Sequence, residues 1–301
     1  MVSVLERPKI RLAVTEKNLE EKFVNVKGTV IRYVVAGNKS PLLLVHGFGA
    51  FLEVWWKNIG PLSKHFKVYA MDLPGHGLSD RFDSYDIPDL AEVIIGYMDA
   101  IGIERADIVG HSMGGLICSA LAADYPGRIH RLIIEDGLGV VKGMPFRYRF
   151  FTLPLLGEMV MLPTTRGSVE RGLRKSFYNA GAVTKEMIET SYQFLKLPGA
   201  KRTMLNIIRS GKKYRKLHST DFLVDRISMI KAPTLVIHGA QDKTISPENA
   251  QDTYRIIPGS RLKIFEDCGH CPHIEKAEEY NELVIDFFNE DGLGKEVSSV
   301  G

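Results

Sequence analysis

The stretch "IVGHSMGG", Ile108 to Gly115, decides how the whole chain is read. Ile108 and Val109 end an apolar run of the kind a strand covered on both faces requires. Gly110-His111-Ser112-Met113-Gly114 then sets a serine between glycines where the strand hands over to a helix. Such a turn holds the serine in a strained backbone conformation at the strand's C-terminal end. Small residues two positions to either side keep it from colliding with the neighbouring strand and helix. The pattern in this context points to a nucleophile rather than a structural turn.

Outward from that turn, short β-rich runs alternate with helical patterns, which argues for βα units and a mostly parallel sheet. "EKFVNVKGTVIRYVVAG" (21–37) reads as an antiparallel hairpin at one sheet edge, turning at Lys27-Gly28. Further strands are expected in 41–47, 66–75, 105–112 and 128–137, with a helix over 86–102. From about Lys142 to Ile230 the alternation stops and the chain turns basic, aromatic and helix-like. The strand pattern resumes at "KAPTLVIHGAQD" (231–242), followed by a helix near 247–256, a strand in "SRLKIFEDCGHC" (260–271) and a helix in 275–290. The simplest account is one α/β core interrupted by a helical insertion. Its divisions are a first core part at 1–139, the insertion at 140–228, a second core part at 229–290 and a flexible tail at 291–301.

A serine hydroxyl needs a positioned base, and the base needs an orienting acid. Both follow in chain order: Asp242 at the end of "VIHGAQD" and His270 in "CGHC". All three follow the C-terminal ends of parallel strands and so belong at one sheet edge.

With these residues placed, the chain resembles the α/β-hydrolases, and the likeness spans almost everything outside the insertion. "LLLVHGFGA" is similar to the family's His-Gly segment after the third strand, and "MDLPGHGLSD" to its D-x-P-G-x-G-x-S loop. "GHSMGG" resembles the nucleophile turn, "HGAQD" the acid turn and "CGHCPHIEKAEEYN" the histidine loop, with Ala277 where proline is frequent. The resemblance implies Ser112 as nucleophile, His270 as base and Asp242 as acid. It also implies an oxyanion hole from the backbone N–H groups of Phe48 and Met113, and a helical cap between the sixth and seventh strands. No cofactor is implied. A serine in place of the aspartate used by haloalkane dehalogenases and epoxide hydrolases implies an acyl-enzyme, hence hydrolysis of a small or medium-chain carboxylic ester. Monoacylglycerol lipases, lactonases, perhydrolases and carbon–carbon bond hydrolases share the skeleton. The last usually carry Asn where His111 stands and Trp where Cys271 stands. A ligand receptor with little turnover is the reading from a different class, and an intact triad argues against it.

Several positions have rivals. Asp136 also follows a strand, where some relatives place the acid, and His273 competes with His270. His46 and His111 are expected to hydrogen-bond locally in tight turns, and are also candidates for the pocket wall. Asp72 and His76 are expected to shape the site's floor. Trp55 and Trp56 read as packing, with room for one to face the pocket. Within the insertion Phe146, Phe151 and Met161 are candidate pocket residues, against the plainer reading that they form the insertion's own core.

Composition sets the remaining bounds. A hydrophobic content of 45% and a charged content of 25% are those of a soluble globular protein. The first ten residues mix in charge, so no signal-peptide apolar region is read, and no apolar run reaches a membrane span. Three cysteines fit a reducing cytoplasm. The net charge of +3 hides 16 Lys/Arg against 4 Asp/Glu between Lys142 and Lys216. The basic run "SGKKYRKLHS" (210–219) reads first as a solvated face, with anionic steering or an anionic interface as sharper alternatives. No nucleic-acid motif accompanies the charge. A homodimer is compatible with the sequence, which fixes no oligomeric state. "CGHC" has redox spacing, but it follows a strand instead of opening a helix in a thioredoxin-like fold. Its thiols are therefore read as incidental, with a Cys268–Cys271 disulfide as an oxidant-dependent variant.

Overall fold

Six of the strands are short apolar runs, and their burial shows why. β3 (Pro41–Val45), β4 (Lys67–Met71), β5 (Ala106–His111), β6 (Ile129–Glu135) and β7 (Thr234–Gly239) are buried at nearly every position. β8 (Arg261–Phe265) closes one edge and is half-buried over most of its length. The structure, a computed structural model, describes residues 19–137, 164–216 and 220–290, the side chains of 211–223 apart. The candidate pocket residues Phe146, Phe151 and Met161, the tail at 291–301 and most of the basic run's side chains lie outside the described residues.

The sheet order is β1-β2-β4-β3-β5-β6-β7-β8, with β1 (Glu21–Val26) and β2 (Thr29–Ala36) antiparallel and all later neighbours from β4 onward parallel. The hairpin turns where expected, at Lys27 and Gly28, both with positive φ. Side chains alternate between the two faces. Leu43, Val45, Ile108 and Leu132 pack with α2 (Ile87–Ala100) and α3 (Met113–Asp124). Leu42, Leu44, Val109 and Ile133 pack with α1 (Ile59–Ser63) and the C-terminal helix. The expectation of a mostly parallel sheet flanked by helices is thus met.

Strand order reverses between β4, β3 and β5. This is the kind of place where an open α/β sheet leaves a crevice outside its strand ends. Between β6 and β7 the described chain is helical: α4 (Arg166–Ser176), α5 (Lys185–Lys196), α6 (Ala200–Lys216) and α7 (Thr220–Ser228). Some of its basic side chains are exposed and paired, as in Arg166 with Glu189 and Arg174 with Glu170. After β7 come α8 (Glu248–Ile256), β8, the short α9 (Pro272–Glu275) and α10 (Ala277–Asn289). None of the described helices is long and apolar enough to cross a membrane.

One charged cluster lies inside this apolar frame. Arg32 on β2 has a fully buried side chain and contacts Glu53 and Glu21 at 2.5 Å and Asp72 at 3.1 Å. The Asp72 carboxylate also accepts from the Leu52 and Leu78 amides, so it ties the 72–80 loop to the start of the turn at Leu52–Trp55. One guanidinium among three carboxylates leaves an excess of negative charge. Burial pushes Glu53 up to about 7, an effect the Arg32 charge opposes. The ordinary value is 4.5, so the unfolded chain releases this proton before the native protein does as pH rises. Stability is therefore expected to fall between about pH 4.5 and 7. Glu53→Gln should flatten that part of a urea-unfolding profile taken against pH.

Candidate active site

Ser112 joins β5 to α3 with φ 54° and ψ −117°, a conformation that side chains rarely adopt. Close packing imposes the flanking glycines. A Cβ on Gly110 would lie 2.5 Å from the Gly114 oxygen, and one on Gly114 would lie 2.5 Å from the Val45 oxygen. The serine Oγ is 3.1 Å from His270 Nε2, and His270 Nδ1 is 2.6 Å from Asp242 Oδ2. All three side chains are buried. The structure thus brings together the three residues singled out in the sequence, each from a loop that follows a strand.

Asp242 is held by more than the histidine. Its Oδ1 accepts from the Thr244 and Ile245 amides, and His238 Nε2 stands 3.3 Å from Oδ2. Burial raises its carboxyl, but the hydrogen bonds from His238 and His270 outweigh that and hold it well below the usual carboxylate range. Asp136, the rival acid, accepts from the Gly239 amide at 3.0 Å and faces His238 at 3.4 Å. Burial, then the neighbouring charges of Asp242 and Glu135, push its carboxyl well above the usual carboxylate range. The carboxylate hydrogen-bonded to His270 is Asp242.

The histidine loop is fastened to the helical segment. The His270 amide donates to Ser176 O at 2.7 Å. The Glu275 carboxylate accepts from the amides of Gly269, Tyr178 and Asn179. His273, the rival base, is engaged elsewhere: its Nδ1 donates to Glu135 Oε1 at 2.6 Å, while Tyr280 donates to Glu135 Oε2. Burial raises Glu135, but the His273 charge and hydrogen bond outweigh it and bring its carboxyl down to about 2.

A cavity of about 170 Å³ opens over Ser112. Phe48, Phe51, Val54, Trp56, His111, Ser112, His270 and His273 line it. Leu173 and Phe177, at the end of α4, and Met187 on α5 close it from the helical segment. Two triples of potential ligand atoms, His111/Glu135/His273 and Asp136/Asp242/His270, each lie within 4.8 Å of one another. In both, a histidine Nδ1 is already committed to a carboxylate.

His46 corrects an expectation. It is fully buried, with Nδ1 2.8 Å from Gly47 O while Nε2 accepts from the Leu73 amide, and it is not among the residues lining the cavity. Its work is to tie the end of β3 to the 72–80 loop, as its tight-turn position would have it. Burial brings it down to about 4, so it is neutral. His111 does line the cavity. Of the tryptophans, Trp56 lines it and Trp55 is buried beneath, its ring 4.5 Å from that of His273. The Gly47–Phe48 peptide runs beside the nucleophile: a Cβ on Gly47 would lie 2.8 Å from the Ser112 Cβ. Met113 opens α3, as an N–H donor facing the serine requires. All three cysteines are free. Burial raises the thiols of Cys268 and Cys271, and so opposes thiolate chemistry in "CGHC".

Sequence reasoning missed Val54, Leu173, Phe177, Met187 and Ile274 of the cavity wall, and the Glu135–His273–Tyr280 set. The one available signal was Glu135, an acid at the end of an otherwise apolar strand.

This fold agrees with the family comparison. The alpha/beta hydrolase fold model matches residues 40–277, and the chain belongs to that family. Among curated relatives, it is 30% identical over 269 residues to the 2-hydroxy-6-oxo-6-phenylhexa-2,4-dienoate hydrolase of Comamonas testosteroni, covering 87% of this chain and 92% of the relative. It is 31% identical over 285 residues to the 2-hydroxy-6-oxononadienedioate/2-hydroxy-6-oxononatrienedioate hydrolase of Paraburkholderia phymatum, covering 89% and 96%. Among solved structures, the enol-lactonase from Burkholderia xenovorans LB400 superposes with a TM-score of 0.76 at 26% identity, covering 89% of this chain and 100% of that one.

Proposed function

We propose that the protein is a serine hydrolase that cleaves carboxylic esters of small to medium acyl chains through an acyl-enzyme. The observation that carries this reading is the hydrogen-bonded chain Ser112–His270–Asp242 beneath a mainly apolar cavity. Ser112 Oγ attacks the carbonyl carbon while His270 Nε2 takes its proton. Asp242 holds the imidazole in the tautomer with hydrogen on Nδ1 and stabilises the imidazolium. The amides of Phe48 and Met113 receive the developing oxyanion. His270 then protonates the departing alkoxide, and a water activated by the same nitrogen releases the acid. Residues 140–228 serve as the cap, and α4 and α5 supply the far wall of the acyl pocket.

The cavity's composition favours an uncharged substrate. No Lys or Arg is among the described residues that line it. A second reading, carbon–carbon bond hydrolysis of a ring-fission product, has the two dienoate and dienedioate hydrolase relatives in its favour. Those substrates carry carboxylates, which such a wall is poorly equipped to hold. The test is a panel of p-nitrophenyl esters of increasing chain length, an enol lactone and 2-hydroxy-6-oxo-6-phenylhexa-2,4-dienoate. Ester turnover with a Ser112-dependent burst is expected. Rapid loss of the dienoate without ester turnover would replace the first reading with the second.

The oxyanion assignment has its own check. Gly47→Ala forces a methyl against Ser112 and displaces the Phe48 amide. Its kcat/KM is expected to fall by about 10²–10³, the scale of one lost oxyanion donor, with a stability loss of about 1–3 kcal/mol from the overpacking.

A further inference from the structure

The general base is held by its main chain as well as by its ring. The His270 amide donates to Ser176 O at 2.7 Å, an acceptor that belongs to the helical segment. The carbonyl of the same residue lies 2.7 Å from His111 Nε2. A carbonyl can only accept, so this imidazole carries its hydrogen on Nε2 and donates. Burial brings His111 down to about 3, against the pull of Glu135 and with the help of His273 and His270. The ring is therefore a neutral donor of one tautomer. It also has little room to turn. Its centre is 4.9 Å from that of His270 and 4.8 Å from that of His273, and Trp55 meets it edge-on at 6.5 Å. Gly47 stands behind it, where a Cβ would lie 3.2 Å from Nδ1.

His111 ends β5 and immediately precedes the nucleophile. Its hydrogen bond spans 159 positions, from the strand end that carries Ser112 to the residue that takes the Ser112 proton. Ser176 anchors His270 to the helical segment and Asp242 anchors it to the loop after β7, whereas His111 anchors it to the nucleophile's own strand.

We propose that His111 is a positioning residue, whose Nε2–H holds the His270 carbonyl and so sets the imidazole at its working distance from Ser112. The inference rests on the serine-hydrolase reading and extends it to a residue that acts through the base. The 3.1 Å contact between His270 Nε2 and Ser112 Oγ cannot do this alone. That contact is consumed when Oγ is acylated, yet the imidazole must stay in place to activate water. A main-chain anchor outside the chemistry persists through both half-reactions. Without it the buried carbonyl loses its donor, and the loop shifts to find another. Proton transfer needs hydrogen-bond reach, and a misplacement of about 1 Å costs on the order of 10²-fold.

The test compares His111→Gln, whose amide nitrogen stands as many bonds from the backbone as Nε2 and also donates, with His111→Leu and His111→Met, which cannot donate. Methionine is the second apolar variant because its flexible chain fills the site if leucine does not pack. Each is assayed where a denaturant titration shows it folded. On a p-nitrophenyl ester, kcat of the Leu and Met variants is expected to fall by about 10–100-fold with KM changed by less than about threefold, and His111→Gln to recover most of the loss. The rate of labelling by a fluorophosphonate should fall and recover in parallel, because it reports activation of Ser112 without an ester. The acid side of the kcat profile against pH should stay in place, since the variants strip a partner from a carbonyl and leave the imidazole bonded to Asp242.

Wild-type turnover and labelling in folded His111→Leu and His111→Met overturn the proposal, as does a His111→Gln no faster than they are. A loss confined to KM would make His111 a wall residue only. An acid limb that moves beneath an unchanged plateau would mean that His111 acts on the charge of the base and not on its place. If the wild type labels but hydrolyses no ester, the ester reading fails, and the labelling rates alone decide whether His111 positions the base.

Discussion

Ser112→Ala is expected to lower kcat by about 10⁶-fold on any substrate the enzyme accepts, and to abolish labelling by a fluorophosphonate. The loss is this large because nucleophile, base and acid act as one unit. His270 and Asp242 stay hydrogen-bonded to each other but have no hydroxyl to activate. Ser112→Gly should be equally inactive and yet more stable than Ser112→Ala, by about 1 kcal/mol, because glycine adopts φ 54° without the penalty a Cβ carries. Both variants lack the Oγ contact to His270, so the difference between their denaturation midpoints isolates backbone strain. Labelling of folded Ser112→Ala at the wild-type rate would remove the serine from the mechanism.

Arg32→Leu is expected to produce the largest loss of stability, about 3–5 kcal/mol by denaturant titration. The guanidinium compensates Glu53 and Asp72, whose side chains are 1% and 0% exposed, and leucine leaves both carboxylates buried without a cation. Desolvation makes the removal of one partner far costlier than the pair's own attraction suggests. Adding Glu53→Gln to Arg32→Leu should therefore recover part of the loss, a non-additivity expected of groups in contact. Failure of the double variant to recover any stability would mean that the cost lies in packing. Arg32 does sit over the Phe194 ring, 5.8 Å from its centre.

The parallel core was legible because its strands are covered on both faces and so must be apolar nearly throughout, as in "ADIVGH" and "TLVIHG". The triad was legible because each member stands just after a strand and the fold aligns strand ends. Trp55 and Trp56 show the limit. Adjacent in the chain, they part at the end of the short turn at Leu52–Trp55, one into the core and one into the cavity, and no periodicity separates them. Glu135 and His273 show another. Their bond spans 138 positions, and neither segment carries a local pattern that names the other. His46 was placed correctly as a local hydrogen-bonder and wrongly in the wall, because a loop residue's side of the sheet edge depends on packing with Leu73 and His76.

The fastening of His270 to Ser176, with Glu275 gripping the Tyr178 and Asn179 amides, also makes the position of the imidazole depend on the helical segment. Any displacement of residues 176–179 would pull on the His270 amide and so on its alignment with Ser112. The packing of that corner and the distance from His270 to Ser112 are then one mechanical variable.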